Sequence, residues 1–320
     1  MKTLLLSAAL IIAASTAFAR DNVQVTGSST VLPYATIVAE AFGENFEFPT
    51  PVVEGGGSGA GRKKLCEGTG NNTPDIANSS SKMKDEEWAK CEEVIGKITE
   101  VRIGYDGIVF ASNIDQLNID DLTVEQLYKA LHESSTAKLW SDVDAALPAV
   151  EILAFIPGTK HGTREVFDVK VMEDGCKAAL GVDKLDDDQK KNCVKVRTDG
   201  AAVDIDGDYT ETLSRLAASP TSMGVFGLSF YQNNTDKLEV ATVGGVFPSV
   251  ETISSGDYPI SRPLYFYLKN SHVGVIPGLR EFVEFFVSDD MAGPDGALAQ
   301  YGLVPDPELA ATQEMISNIE

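Results

Sequence analysis

Short apolar segments that run into loops of glycine and small hydroxyl residues recur along this chain, and most of those loops lead into helical spacing. Val23-Gln24-Val25 reads as a strand, Gly27-Ser28-Ser29-Thr30 breaks it, and Leu32 to Phe42 carries apolar residues at helical intervals. Pro51 to Glu54 is strand-like, GGGSGAG at 55–61 is a loop, and a helix follows to about Cys66. Asp75-Ile76-Ala77 is a third strand, NSSS at 78–81 a third polar loop, and Asp85 to Cys91 a third helix. Val101 to Ser112 is a long apolar strand broken by glycines. Such alternation predicts an α/β fold with a mainly parallel sheet flanked by helices, its loops gathered at the carboxyl edge of the strands.

The second half repeats the style. Helices are predicted over Thr123–Leu131, Thr163–Met172 and Asp208–Ala218, and Glu151–Ile156 is a strand followed by the loop PGTKHG at 157–162. SMGVFGLSFY at 222–231 is a glycine-containing strand or loop. Arg262–Leu268 is a strand, and Pro277–Val287 an amphipathic helix with proline at its start. The run Asp186-Asp187-Asp188 with Lys190-Lys191 reads as a solvated face, a cation site being its alternative. A length of 320 residues fits two domains or one large one.

The first nineteen residues stand apart. Lys2 precedes an apolar run from Leu4 to Ala14 that is too short to cross a bilayer, and Ala17-Phe18-Ala19 is an A-x-A cleavage signal. Residues 1–19 are therefore expected to be a signal peptide cut after about Ala19, and the mature chain to be exported. Lys and Arg number 26 against 48 Asp and Glu, a formal charge of −22. That charge repels phosphodiesters and anionic lipid, so neither nucleic acid nor membrane is an expected partner. Four cysteines suit an oxidising compartment. They fall as local pairs, Cys66 with Cys91 and Cys176 with Cys193, and each bridge would close a loop of roughly 15–25 residues for about 3 kcal/mol. Zinc is the alternative. The cysteine spacings and the scattered His132, His161 and His272 do not favour it, so no metal and no cofactor are expected.

Three loops share one chemistry. Gly27-Ser28-Ser29-Thr30, Gly57-Ser58-Gly59 and Gly162-Thr163-Arg164 each end an apolar segment and open a helix. A helix start exposes unpaired N–H groups and a partial positive charge, hydroxyls add donors, and glycine allows close approach. Each loop alone could be an ordinary cap. Together with Asn78-Ser79-Ser80-Ser81 they suggest anion cradles. Arg164 is the fixed cation on such a loop, its alternative being an ion pair with Glu165. Enzyme motifs match less well. GGGSGA at 55–60 fits a relaxed dinucleotide fingerprint, the P-loop spacing at 56–61 lacks its Lys-Ser/Thr, and Ser58 has no evident base.

VTGSSTVLPY at 25–34, VEGGGSGAG at 53–61, TPDIANSSSKMK at 73–84, IGYDGIVFA at 103–111, HGTREVF at 161–167, GVFGLSFY at 224–231 and YPISRPLYFY at 258–267 resemble, in order, the PstS-type solute-binding proteins of phosphate ABC transporters. The resemblance implies a two-lobed type II periplasmic-binding-protein fold with crossings near Ala111 and Ser254. Residues 20–111 plus 255–320 would form lobe one, and 112–254 lobe two. It implies capture of inorganic phosphate in the cleft, delivery to an inner-membrane permease, a periplasmic location, a monomer and no catalysis.

Carried over by position, Ser29, Thr30, Val31, Ser58, Ser80, His161, Gly162, Thr163 and Arg164 would bind the ligand. Ser80 stands where some members have an aspartate that accepts the proton of hydrogen phosphate, and Ser81 where GTR members often have arginine. Asp106 is the first candidate for the missing acceptor, with Glu54 and Asp199 behind it, and Lys82 and Lys160 are candidates for the missing charge. The alternatives are another oxyanion (sulfate, molybdate, arsenate or a phosphonate), an exported phosphatase or hydrolase on a similar scaffold, or a surface scavenger that kept the fold.

Overall fold

The computed structural model describes residues 20–159, 163–207 and 209–319. The expected signal segment and its expected cleavage point lie outside them, as do Lys160, His161 and Gly162. Three short parallel strands begin the fold: β1 (Gln24–Gly27) pairs with β2 (Val52–Gly55) on one side and β3 (Ile76–Ser79) on the other. Between and after them run α1 (Leu32–Asn45), α2 (Ser58–Leu65) and α3 (Asp85–Ile95). The strand-loop-helix alternation is thus present. β1 and β3 extend further into their polar loops than expected, so Gly27 and Asn78 are ladder residues in register.

β4 (Ile98–Asn113) is the long strand anticipated at 101–112. After it come β5 (Asp121–Leu122), α4 (Val124–Leu131), β6 (Ala154–Pro157), β7 (Ala202–Ile205), β8 (Met223–Gly227), β9 (Leu238–Val240), β10 (Thr242–Val243), β11 (Ser261–Lys269) and β12 (Leu303–Val304). Among the described residues the main sheet runs β2-β1-β3-β11-β4-β8-β6-β7, with β9 and β12 added against β4. Parallel pairing in it is confined to two three-strand groups, β2-β1-β3 and β8-β6-β7. β11 and β4 run antiparallel to their neighbours and join the groups.

β4 changes partner at its middle. Residues up to Gly107 pair with β11, and Ile108 onward pairs with β8. The apolar cores divide close by: Ile103 and Leu264 pack with the first group, Tyr105, Ile108 and Ile260 with the second. α1 shows how the first core forms. Its buried residues Tyr34, Ala35, Val38, Ala39 and Phe42 fall three or four apart, and Phe42 meets Phe46, Phe48 and Phe282. Each fully buried side chain of this size contributes about 1.5–3 kcal/mol.

Several local expectations shift. The segment 163–172 is a helix at Thr163–Val166 that widens into a π-helical stretch, Phe167–Glu173, before Asp174–Leu180. SMGVFGLSFY divides into β8 and a short helix, Leu228–Gln232. The helix expected from Pro277 begins at Leu279, because Gly278 takes φ +76° where Phe48 packs against it. Both disulfides form as the local pairs, Cys66–Cys91 and Cys176–Cys193, which removes the zinc alternative. The acidic run at 186–188 opens a short helix, with Asp186 capping it through the amides of Asp188 and Gln189.

Candidate functional site

The carboxyl ends of β1, β2 and β3 are level, since Gly27 pairs with both Gly55 and Asn78. The loops leaving them therefore start at one edge. Two contacts keep them tight: a Cβ on Gly27 would meet Asn78 O at 2.2 Å, and one on Gly61 would meet Gly27 Cα at 2.3 Å. No side chain fits between β1, β3 and α2, which is why the motifs need glycine there.

In the first loop Ser28, not Ser29, closes the turn that leads into α1. Its hydroxyl accepts from the amides of Thr30 and Val31 at 3.2 and 3.3 Å, and Val31 itself is fully buried. Ser29 is exposed and lines an open cleft of about 750 Å³ with Leu32, Pro33, Thr159, Arg164 and Glu165. Elements from both ends of the sheet path therefore face one gap. Ser58 and Ser80 meet beside the second loop: the Ser80 amide donates to Ser58 Oγ at 3.0 Å, and the hydroxyls are 3.1 Å apart. Arg62 fixes the neighbouring serines, donating to Ser79 Oγ at 2.5 Å and to Ser81 O at 3.2 Å, while its Nε holds Glu87. It brings a cation to the loop where arginine was missing at 81.

Glu165, on the wall of that cleft, leads to a buried cluster of charged groups. Arg262, on β11, is nearly buried and donates to Thr30 Oγ1 at 2.6 Å. Thr30 donates in turn to Glu165, and Arg262 Nη1 reaches that carboxylate at 3.4 Å. Asp106 lies opposite Arg262 in the β4–β11 register. It is 1% exposed, and neither carboxylate oxygen has a hydrogen-bond partner among the described residues. Burial pushes it up to about 7, against the pull of Arg262 and with Glu165 adding to the rise. Burial, with Asp106 nearby, raises the Tyr34 phenol as well. Thr163 is buried against Tyr209, whose phenol is pushed far up by burial despite hydrogen bonds with Thr163 and the Gly227 backbone.

A model of the PBP superfamily domain matches residues 13–290. The chain is 30% identical over 296 residues to the phosphate-binding protein PstS of Staphylococcus haemolyticus, covering 90% of this chain and 82% of that one. The corresponding protein of Staphylococcus saprophyticus is 30% identical, covering 93% and 85%. The chain belongs to the PstS-type phosphate-binding proteins of the PBP superfamily. Solved structures agree in fold. A possible phosphate-binding protein from Planctomyces limnophilus superposes with a TM-score of 0.73 at 24% identity, covering 93% and 98% of the two chains. An ABC-type phosphate transport receptor from Vibrio cholerae gives 0.58 at 18% identity, covering 88% and 99%.

For a PstS-type protein, the sequence-level site is redistributed in three ways. Arg164 lines the cleft, but its Nε holds Asp168 at 2.7 Å and its Nη1 holds Asp204 at 2.9 Å and Pro157 O at 3.1 Å. The alternative pairing with Glu165 does not occur, because adjacent residues on a helix point apart whereas Arg164 and Asp168 are four apart. The substitutes for lost charge and lost acceptor also sort themselves. Lys82 is exposed and pairs with Glu100 at 3.5 Å. Glu54 lies in a separate hollow with Lys64 and Asn72. Arg197 holds Asp199 down at about 2, which makes it a poor proton acceptor. His161 and Gly162 lie outside the described residues. Finally, the structure adds Arg262 and Glu165, neither of which lies in a hydroxyl-rich loop that the sequence marks for binding. The signal for Arg262 was available, as a lone arginine in the otherwise apolar strand YPISRPLYFY.

Proposed function

We propose that this protein is exported to the periplasm, captures inorganic phosphate between two lobes (20–111 plus 255–320, and 112–254) and delivers it to an ABC permease as a monomer. The carrying observation is the buried Arg262–Thr30 pair, which holds the Glu165 carboxylate that reaches it from beyond β6 and borders the cleft. A guanidinium and a hydroxyl aimed at a pair of charged oxygens is the donor set an oxyanion requires. The names of the relatives support phosphate as that oxyanion and transport as the role. The change of partner within β4 and the division of the cores beside it support the two lobes.

In this reading phosphate takes donors from Ser29, Thr30, Val31, Ser58, Ser80, His161, Gly162, Thr163, Arg164 and Arg262. Charge-assisted bonds contribute roughly 1.5–3 kcal/mol each, so a few in excess of the desolvation cost reach the about −8 kcal/mol of micromolar binding. Asp106 accepts the proton of hydrogen phosphate. Sulfate has none to give, so the same carboxylate repels it. Nothing in this role requires a covalent step.

Calorimetry on desalted protein tests the reading. Phosphate is expected to bind with micromolar affinity or better, and sulfate at least a hundredfold more weakly. Absence of phosphate binding, or equal binding of sulfate, overturns it.

A further inference from the structure

The buried donors beside the cleft are already in use. Thr30 stands in the turn before α1, Arg262 on β11 and Glu165 on the helix after β6, yet the three close into one hydrogen-bonded set. Thr30 and Glu165 are 135 residues apart, and Arg262 and Glu165 are 97 apart. A carboxylate offers a hydroxyl and a guanidinium two charged oxygens, much as one edge of a phosphate does. The Glu165 side chain is 41% exposed and borders the open cleft, whereas that of Arg262 is 10% exposed. Glu165 can therefore swing out while Arg262 stays.

We propose that Glu165 is a built-in anion that clasps the two sides of the cleft when no ligand is present, and that phosphate must displace it to bind. This rests on the phosphate reading above. Glu165 then sets the affinity of the site without being one of its ligands. Any ligand gains only the difference between its own contacts and those Glu165 gives up. The clasp also holds the ligand-free molecule partly closed, because the carboxylate reaches across the cleft to donors in the turn before α1 and on β11. Arg164 cannot do this, since Asp168 and Asp204 on its own side engage it.

Glu165→Gln keeps the shape and removes the charge. With the wild type as reference, calorimetry is expected to show phosphate binding at least fivefold tighter. Small-angle scattering is expected to show a larger radius of gyration for the ligand-free variant, returning to the wild-type value with phosphate. Cooperative thermal unfolding of the variant checks that it is folded. Unchanged or weaker affinity overturns the proposal and makes Glu165 a structural or ligand-contacting residue. Tighter binding without expansion also overturns the clasp, leaving simple charge repulsion. A wild type that binds no phosphate defeats the phosphate reading instead, and the ligand-free scattering comparison still decides the clasp.

Discussion

Asp106 and Arg262 face each other at the point where β4 changes partner, and the balance between them is set by burial. A carboxyl with no hydrogen-bond partner among the described residues and a pKa of about 7 holds its proton over a range in which the unfolded chain has released it. The folded state therefore binds more protons between about pH 4 and 7, and stability from this group falls as pH rises through that window. Each tenfold change in proton affinity between the folded and unfolded chain corresponds to about 1.4 kcal/mol. Asp106→Asn removes the effect. Its melting temperature relative to wild type is expected to be higher at pH 8 than at pH 4.5, by circular dichroism; a difference independent of pH would show that Asp106 titrates normally. Arg262→Lys keeps a charge but loses the fork that serves Thr30 and Glu165 together. Phosphate binding is expected to weaken at least tenfold in this variant, and an unchanged dissociation constant would remove Arg262 from the site.

The elements deliver these residues through close backbone packing. α2 rests on the end of β1 through Gly61 against Gly27, with the Cys66–Cys91 bridge tying its far end to α3. A methyl at position 61 has no room and must lift the helix, and Ser58 at its start would lose Ser80. Gly61→Ala is expected to cost about 1–3 kcal/mol, as overpacking does, and to weaken phosphate binding as well. Urea denaturation and calorimetry on the same preparation read both effects. A variant with wild-type stability would mean that the contact relaxes freely. The sequence pattern identified these elements because their signals are local: apolar periodicity, glycine at strand ends, and capping residues. It misplaced boundaries where a tertiary contact decides them, as at Gly278 beneath Phe48, and it could not see that the segment after Thr163 widens into a π-helical stretch.

Across the whole molecule, the formal charge of −22 opposes the approach of a dianion, while the donors that would hold it act at contact. Long-range repulsion is screened over roughly 8 Å at physiological salt, and contact interactions are not. The association rate of phosphate is therefore expected to rise as ionic strength increases from about 10 to 150 mM, as stopped-flow fluorescence would follow, even though anion binding usually weakens with salt. A rate that falls with salt would show that the arginines at the cleft dominate the approaching field.

Local sequence was enough for the strand-loop-helix rhythm, the two disulfides and the hydroxyl-rich loops at strand ends, because each depends on residues a few to about twenty-five positions apart. The ordered motifs carried the family. Tertiary structure alone decided how the charges pair. Thr30 and Arg262 are 232 residues apart, and the order of strands brings them together with Glu165 and opposite Asp106. Neighbours in sequence then part company, with Arg164 turned to Asp168 and Asp204 while Glu165 crosses the cleft. Which cation meets which carboxylate follows from distance and burial in the folded sheet, and one-dimensional spacing carries neither.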